Sequence, residues 1–218
     1  MLRVGLTGSI AVGKSNVAGV LAELGCHVLD ADQTAREVVG VGTQGLRAVV
    51  DAFGSKVLRA DGTLDRARLG AIVFADEEKR LLLNSILHPF IIESQDAQLR
   101  KWEAEDPEGI GIVDAALMIE SGGYRRFDKL IVVHCRPEAQ LQRLMARNQL
   151  TREEAAARIL AQMPQDEKKR YADYLIDTSE GFESARQETL KVYDALHAEA
   201  VMRHRGAEMR RREDKQDS

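Results

Sequence analysis

Apolar residues in this chain fall into short unbroken runs separated by long stretches with helical spacing. Residues 2–7 form the first run and read as a buried strand; residues 14–24 follow as a helix that Gly25 ends. Residues 26–30 (Cys26-His27-Val28-Leu29-Asp30) are a second short strand leading into Asp30-Ala31-Asp32. From Gln33 to about Asp106 the spacing is helical with breaks. Helices are expected over 34–39 and 44–53, the latter ended by Gly54, with a turn at Asp61-Gly62-Thr63. Further helices are expected over 65–74, 76–87 and, after a break at His88-Pro89, 93–105. Runs at 110–114 and 129–135 return to strand, and Leu130-Ile131-Val132-Val133 has the two-sided burial of a parallel sheet.

The last third alternates in the same way. Pro137 opens a helix to Arg147, Thr151-Arg152-Glu153-Glu154 starts another with a capping-box pattern, and Tyr174-Leu175-Ile176-Asp177 is a final strand. An amphipathic helix over 182–200 closes the fold, and the charge-alternating residues 201–218 read as a frayed or disordered tail. Strand–helix–strand units of this length imply parallel pairing with right-handed crossovers, so the first two strands are expected as a parallel pair. The block from 33 to 107 is too long for one crossover and reads as an insertion lying over the site. The fold class is α/β.

One stretch gives this frame its chemistry. Gly8-Ser9-Ile10-Ala11-Val12-Gly13-Lys14-Ser15 completes the G-x-x-x-x-G-K-[ST] pattern between a strand and a helix. Such a loop turns backbone N–H groups around a phosphate, and the following helix adds its free N–H groups and positive dipole end. Lys14 then reaches the β- and γ-phosphates and the Ser15 hydroxyl ligates Mg²⁺. By contrast, Gly40-Val41-Gly42-Thr43-Gln44-Gly45 matches G-x-G-x-x-G after a helix, without a surrounding βαβ unit, and reads as a plain loop.

Composition narrows the class. At 218 residues and 44% hydrophobic content the chain can build a packed core, and its net charge of −4 argues against coating a nucleic acid. No apolar run approaches the ~20 residues that span a bilayer. The strand at the N-terminus leads straight into the phosphate loop and does not read as a removable signal. Cys26 and Cys135 lie in apolar runs and read as buried thiols. A soluble, cytoplasmic protein is expected, without an obligate protein partner.

Four further features admit two readings each. Asp32, just past the second strand, suits a general base for an incoming hydroxyl, or an N-cap of the next helix. Asp114, after the third strand, suits an acid assisting Mg²⁺, or a strand-end turn residue. Arg143 and Arg147 share a helix face and could clamp a polyphosphate when a lid closes, or form a solvated charged face. His88, at the helix break, is structural or catalytic. Trp102 and the methionines read as helix packing.

Taken together, Thr7 to Ser15, Val28-Leu29-Asp30-Ala31-Asp32, Phe53-Gly54, Asp61-Gly62, Leu87-His88-Pro89, Arg147 before the Thr-Arg-Glu-Glu helix start, and Ala172-Asp173-Tyr174-Leu175-Ile176 resemble the dephospho-CoA kinase family from about residue 1 to 196. The resemblance implies transfer of the γ-phosphate of ATP to the ribose 3′-hydroxyl of dephospho-CoA, the last step of coenzyme A synthesis. It implies a five-stranded parallel P-loop core (1–32, 108–136 and 173–200), a helical CoA-substrate domain (33–107), a lid (137–172) and the tail. It makes Asp32 the base and Arg147 a lid arginine. The nucleotide set becomes Gly8, Ala11, Val12, Gly13, Lys14, Ser15, Asn16, Arg143 and Arg147. Asp32 and His88 face the acceptor, and Ser15, with Asp114 as a second candidate, holds Mg²⁺. The chain departs from the family at Ser9, Ala11, Val12 and Asn16, and lacks a proline in Asp114-Ala115-Ala116-Leu117-Met118-Ile119-Glu120. It carries Asp177-Thr178-Ser179 where the family has Asn-x-Gly.

Two rivals make different demands. A nucleoside monophosphate kinase shares the core and lid but would phosphorylate AMP, CMP or UMP. A GTP-dependent switch needs Asn-Lys-x-Asp, which is absent, and an Asp-x-x-Gly at a strand end. Asp106-Pro107-Glu108-Gly109 has that pattern only before a strand.

Overall fold

Strand β1 (Leu2–Gly8) runs through the centre of a five-stranded sheet, and its side chains are almost wholly buried. The computed structural model describes residues 1–216, with side chains through Gly206 and that of Met209. The remaining strands are β2 (His27–Asp30), β3 (Ile110–Asp114), β4 (Lys129–His134) and β5 (Tyr174–Asp177). Their order in the sheet is β2-β3-β1-β4-β5. The pairs β1–β3, β1–β4 and β4–β5 are parallel. The expected pairing of β1 with β2 is therefore corrected: β3 lies between them. The crossover through α1 (Lys14–Glu23) skips one position, and the chain fills it only after the long helical insertion.

The chain divides into two compact units, residues 1–29 with 101–218, and residues 30–100. In the first, Leu2, Val4 and Leu6 of β1 join Ile112 of β3, Ile131 and Val133 of β4 and Ile176 of β5 in one core. Val17 and Leu21 of α1, and Val192, Leu196 and Ala200 of α9 (Phe182–Gln216), cover it. Asp173 fixes the register of β5: its carboxylate accepts from the Leu130 N–H at 2.8 Å and its N–H donates to the Leu130 carbonyl at 2.9 Å. Helices α6 (Pro137–Asn148), α7 (Arg152–Leu160) and α8 (Gln165–Lys169) lie between β4 and β5 in sequence. Pro137 sits in the first turn of α6, and α7 starts with a capping box between Thr151 and Glu154.

Helix α9 continues past Ala200 to Gln216, where the pattern expects a tail. Arg, Glu, Met and Lys are good helix formers, and Gly206 is the least favourable residue of the stretch, at about 1 kcal/mol. Arg203 pairs with Asp128, and His204 lies 3.9 Å from Glu108, which ties the first turn beyond Ala200 to the sheet unit. The tail's last two residues, 217 and 218, lie outside the described residues.

The second unit packs α3 (Gln44–Phe53), α4 (Arg66–Phe74) and α5 (Glu77–Glu105, which runs on into the first unit) around Val49, Val57, Leu69 and Val73. The expected break at His88-Pro89 is absent: α5 passes through Pro89 without interruption. A proline removes one helical hydrogen bond, at about 3 kcal/mol. Leu83, Ile86 and Leu87 before it pack on this core, and Gln95 and Leu99 after it are buried, which outweighs that loss. The Gly40–Gly45 motif is a turn leading into α3, capped by the Thr43 hydroxyl on the Leu46 N–H at 3.1 Å.

Helix α2 (Ala31–Glu37) starts earlier than the pattern indicates, directly after β2. Its N-cap is Asp30, which accepts from the N–H groups of Asp32 at 2.7 Å and Gln33 at 3.2 Å. Asp32 is thus a first-turn residue, and the capping reading of Asp32 is corrected. Asp30→Ala is expected to lower unfolding free energy by about 1 kcal/mol, the usual value of a lost cap. Asp32→Ala loses only a charge–dipole contribution of about 0.3 kcal/mol at an exposed site. Urea unfolding of the two variants checks the difference.

Candidate active site

The loop from Gly8 to Lys14 leaves β1 at its carboxyl end, at the centre of the sheet. A Cβ on Gly8 would lie 2.6 Å from the Val133 carbonyl oxygen, so the strands can approach only with glycine there. Gly13 stands at φ +88° and serves as N-cap of α1, which turns the chain from loop into helix. Ala11 also lies in the left-handed region, at φ +60°. For a residue with a Cβ this costs about 1–2 kcal/mol.

Side chains outside the motif hold the loop from behind. The Thr178 hydroxyl donates to the Val12 carbonyl at 2.5 Å. Arg143 brackets Thr178 in turn, with Nη1 donating to its hydroxyl at 3.0 Å and Nη2 to its carbonyl at 2.6 Å. Next to it, the Asp177 carboxylate accepts from the Ser179 N–H at 2.8 Å and hydroxyl at 2.5 Å. Burial is the largest single influence and pulls the Asp177 pKa upward, but these two bonds together with nearby His134 and Lys169 outweigh it and leave the group below the ordinary aspartate value. On the loop's other flank Ile10 and Ala11 pack with Leu144 of α6 and Ala155 and Ile159 of α7.

Lys14 forms an ion pair with Asp114, the last residue of β3. The register explains it: Asp114 stands opposite Leu6 of β1, so the carboxylate and the loop leave the sheet side by side. The turn reading of Asp114 is therefore incomplete, since its charge is placed against the loop lysine. Ser15 and Asn16 are exposed in the first turn of α1.

Arg143 and Arg147 do not act as one face. Arg143 is occupied by Thr178, whereas Arg147 is exposed and its Nε donates to its neighbour Asn148 at 2.9 Å. In the helical unit, Asp32 and His88 are both exposed, on α2 and α5 respectively. Both cysteines are buried and free. Burial pushes the Cys26 thiol up to about 12 and raises that of Cys135, so neither is a thiolate near neutral pH.

Sequence reasoning missed Thr178 as a loop anchor, and it missed Lys168. Lys168 is fully buried on α8, 2.8 Å from the Glu120 carboxylate, and donates to the Ala116 carbonyl at 2.9 Å. The Thr7 hydroxyl donates to the same carbonyl at 3.2 Å. The loop after β3 is thus fixed by α8 and β1 without the proline that the family pattern supplies. A lysine in a charged, exposed-looking helix gives no signal of burial.

A five-stranded sheet in this order, with a glycine loop leading from the central strand into a helix and a lysine–aspartate pair beside it, defines a P-loop kinase fold. The comparisons agree on the family. The dephospho-CoA kinase family profile matches residues 2–184. The chain is 46% identical to a Listeria monocytogenes dephospho-CoA kinase over 86% of this chain and 93% of that one. It is 43% identical to the Carboxydothermus hydrogenoformans enzyme of that name, over 87% and 91%. The solved structure of dephospho-CoA kinase from Campylobacter jejuni superposes with TM-score 0.70 at 30% identity, covering 90% of this chain and 97% of that one. A Thermus thermophilus crystal structure gives 0.76 at 30% identity, covering 89% and 96%. The chain belongs to the dephospho-CoA kinase family. Among the described residues no helix is long and apolar enough to cross a membrane.

Lys168→Met leaves Glu120 without its cation. Stability is expected to fall by about 3 kcal/mol, the low end for a broken buried pair, because Glu120 keeps some solvent contact. Lys168→Met with Glu120→Leu should recover part of that loss, read by urea unfolding of the single and double variants.

Proposed function

We propose that this chain transfers the γ-phosphate of ATP to the ribose 3′-hydroxyl of dephospho-CoA, the last step of coenzyme A synthesis. The observation that carries the reading is the complete phosphate loop with Lys14 against Asp114, in a chain of this family. The N–H groups at the start of α1 and the positive end of its dipole receive the phosphates. Lys14 exchanges Asp114 for the β- and γ-phosphates, where it neutralises charge that spreads over the transferring group. Gly8, Ala11, Val12, Gly13, Ser15 and Asn16 complete the nucleotide site.

The oxygen donors present fit Mg²⁺. Ser15 offers a hydroxyl and Asp114 a carboxylate, and Mg²⁺ needs few protein ligands when phosphates and water fill the rest. Held by Ser15 and Asp114, the metal would supply positive charge to offset that of the phosphates. Arg147 is the lid cation that turns to ATP as 137–172 closes, while Arg143 holds the 177–179 turn that frames the adenine side. The helical block 33–107 receives the acceptor, with His88 contacting it. A groove of about 340 Å³ lined by Val38, Gly45, Phe90 and Ala97, with Glu37, Gln44, Glu93 and Ser94 also on its wall, offers a pantetheine arm both apolar and polar side chains. Asp32 accepts the 3′-hydroxyl hydrogen and orients the oxygen for attack. The chain works in the cytoplasm, on two soluble substrates, with no nucleic acid, membrane surface or obligate protein partner.

Lys14→Ala is expected to abolish turnover in a coupled ADP-release assay with dephospho-CoA, with the circular dichroism spectrum unchanged. Near-normal turnover would remove the loop from the reaction. For Asp32→Asn, kcat is expected to fall roughly 10²–10⁴-fold, the usual contribution of a positioned general base. Nucleotide Kd and melting temperature should hardly move, since Asp30 is the cap. A normal kcat would sink the assignment of the base.

A further inference from the structure

Two glutamines that lie outside the phosphate-loop motif bond to its tip, and a third bonds to one of them. The Ile10 N–H donates to Gln162 Oε1 at 2.8 Å, and Gln140 Nε2 donates to the Ile10 carbonyl at 2.8 Å. Gln140 Oε1 accepts from Gln165 Nε2 at 2.8 Å, and Gln165 Oε1 accepts from the Cys135 N–H at 3.0 Å. A backbone group fixes the orientation of each amide: only an oxygen can accept from Ile10 N–H and Cys135 N–H, and only a nitrogen can donate to the Ile10 carbonyl. The result is a directional chain of three hydrogen bonds from the end of β4 through α8 and α6 to the loop, continued by a fourth from the loop to Gln162.

This chain bridges a gap in the packing. Ser9, Gln140, Gln162 and Gln165 line a cavity of about 390 Å³ on this side of the loop. The Ser9 hydroxyl, adjacent to Ile10, is buried without a hydrogen-bond partner and lends the loop no support. Ala11 follows immediately, with its strained positive φ. Such a conformation persists only where its neighbours are over-determined. Ile10 is gripped at both backbone groups on one side of Ala11, and Val12 is gripped at its carbonyl by Thr178 on the other.

We propose that Gln162 and Gln140 are positioning residues for phosphoryl transfer, holding Ile10 from outside so that residues 11–13 present their backbone to the triphosphate. The proposal rests on the reading of this loop as the ATP site. Gln162 acts as an acceptor and Gln140 as a donor, so the two positions answer differently to the same substitutions. Gln162→Glu keeps an acceptor and Gln162→Met does not. Gln140→Glu sets a carboxylate against a carbonyl, whereas Gln140→Met merely loses the bond.

The experiment compares these four variants, with Lys14→Ala as control, in steady-state kinetics and thermal unfolding. Gln162→Met should lower kcat roughly 10- to 100-fold, the cost of small misplacements, with the KM for dephospho-CoA within about two-fold. Gln162→Glu should be faster than Gln162→Met, and the order should reverse at position 140. If both Glu variants are slower than their Met counterparts, added charge explains the losses and the proposal falls. Unchanged kcat in all four, with lower melting temperatures, overturns it in favour of a scaffold role. Should the position 140 variants fail to fold, the order at Gln162 alone decides. Turnover surviving in Lys14→Ala would instead fail the underlying reading of the loop.

Discussion

A phosphate loop can turn its amides inward only if the rest of its backbone is satisfied elsewhere. Buried N–H and C=O groups without partners are rare because each costs about as much as a lost hydrogen bond. In this chain the partners are side chains from three different segments. Thr178 takes the Val12 carbonyl, and Gln140 and Gln162 take the two groups of Ile10. They come from α6, the segment after α7 and the turn after β5. Arg143 extends this support by one more layer, because it holds the residue that holds the loop. Its charge is therefore committed to the frame, while Arg147, one turn on, is left to solvent.

The sheet order supplies the second half of the site. Placing β3 between β1 and β2 puts Asp114 in register with Leu6, beside the loop that Leu6 leads into. The skipped position has to be filled by chain that returns after β2. The helical unit of residues 30–100 lies in that return along the chain.

Much of this was legible in the sequence, for identifiable reasons. Continuous apolar runs such as Leu130 to Val133 locate buried strands, and glycine spacing with Lys14 and Ser15 locates the loop. Cap chemistry marked Thr151 and Pro137 as helix starts, as found. What stayed hidden depends on long-range geometry. Strand order is not written in local periodicity, so the β1–β2 pairing was misjudged. Pro89 suggested a break because the local rule cannot weigh one lost bond against the packing of a 29-residue helix. Asp30 and Asp32 are equally good caps on paper, and only the point where β2 ends distinguishes them. Glutamines and a lysine in polar helices look solvated until the fold buries Gln140 and Lys168.

The Lys14–Asp114 pair links the two ligands of the proposed reaction. Both side chains are largely shielded, at 18% and 12% exposure, so neither charge can be left alone without a desolvation penalty. A triphosphate that draws Lys14 away strips Asp114 of its cation and adds negative charge beside it. A cation arriving with the nucleotide would restore the balance, and on the reading proposed above Mg²⁺ held by Ser15 and Asp114 has the right charge and donor preference. On that reading metal and nucleotide would be coupled ligands, and the ion pair keeps both charges matched when neither is bound.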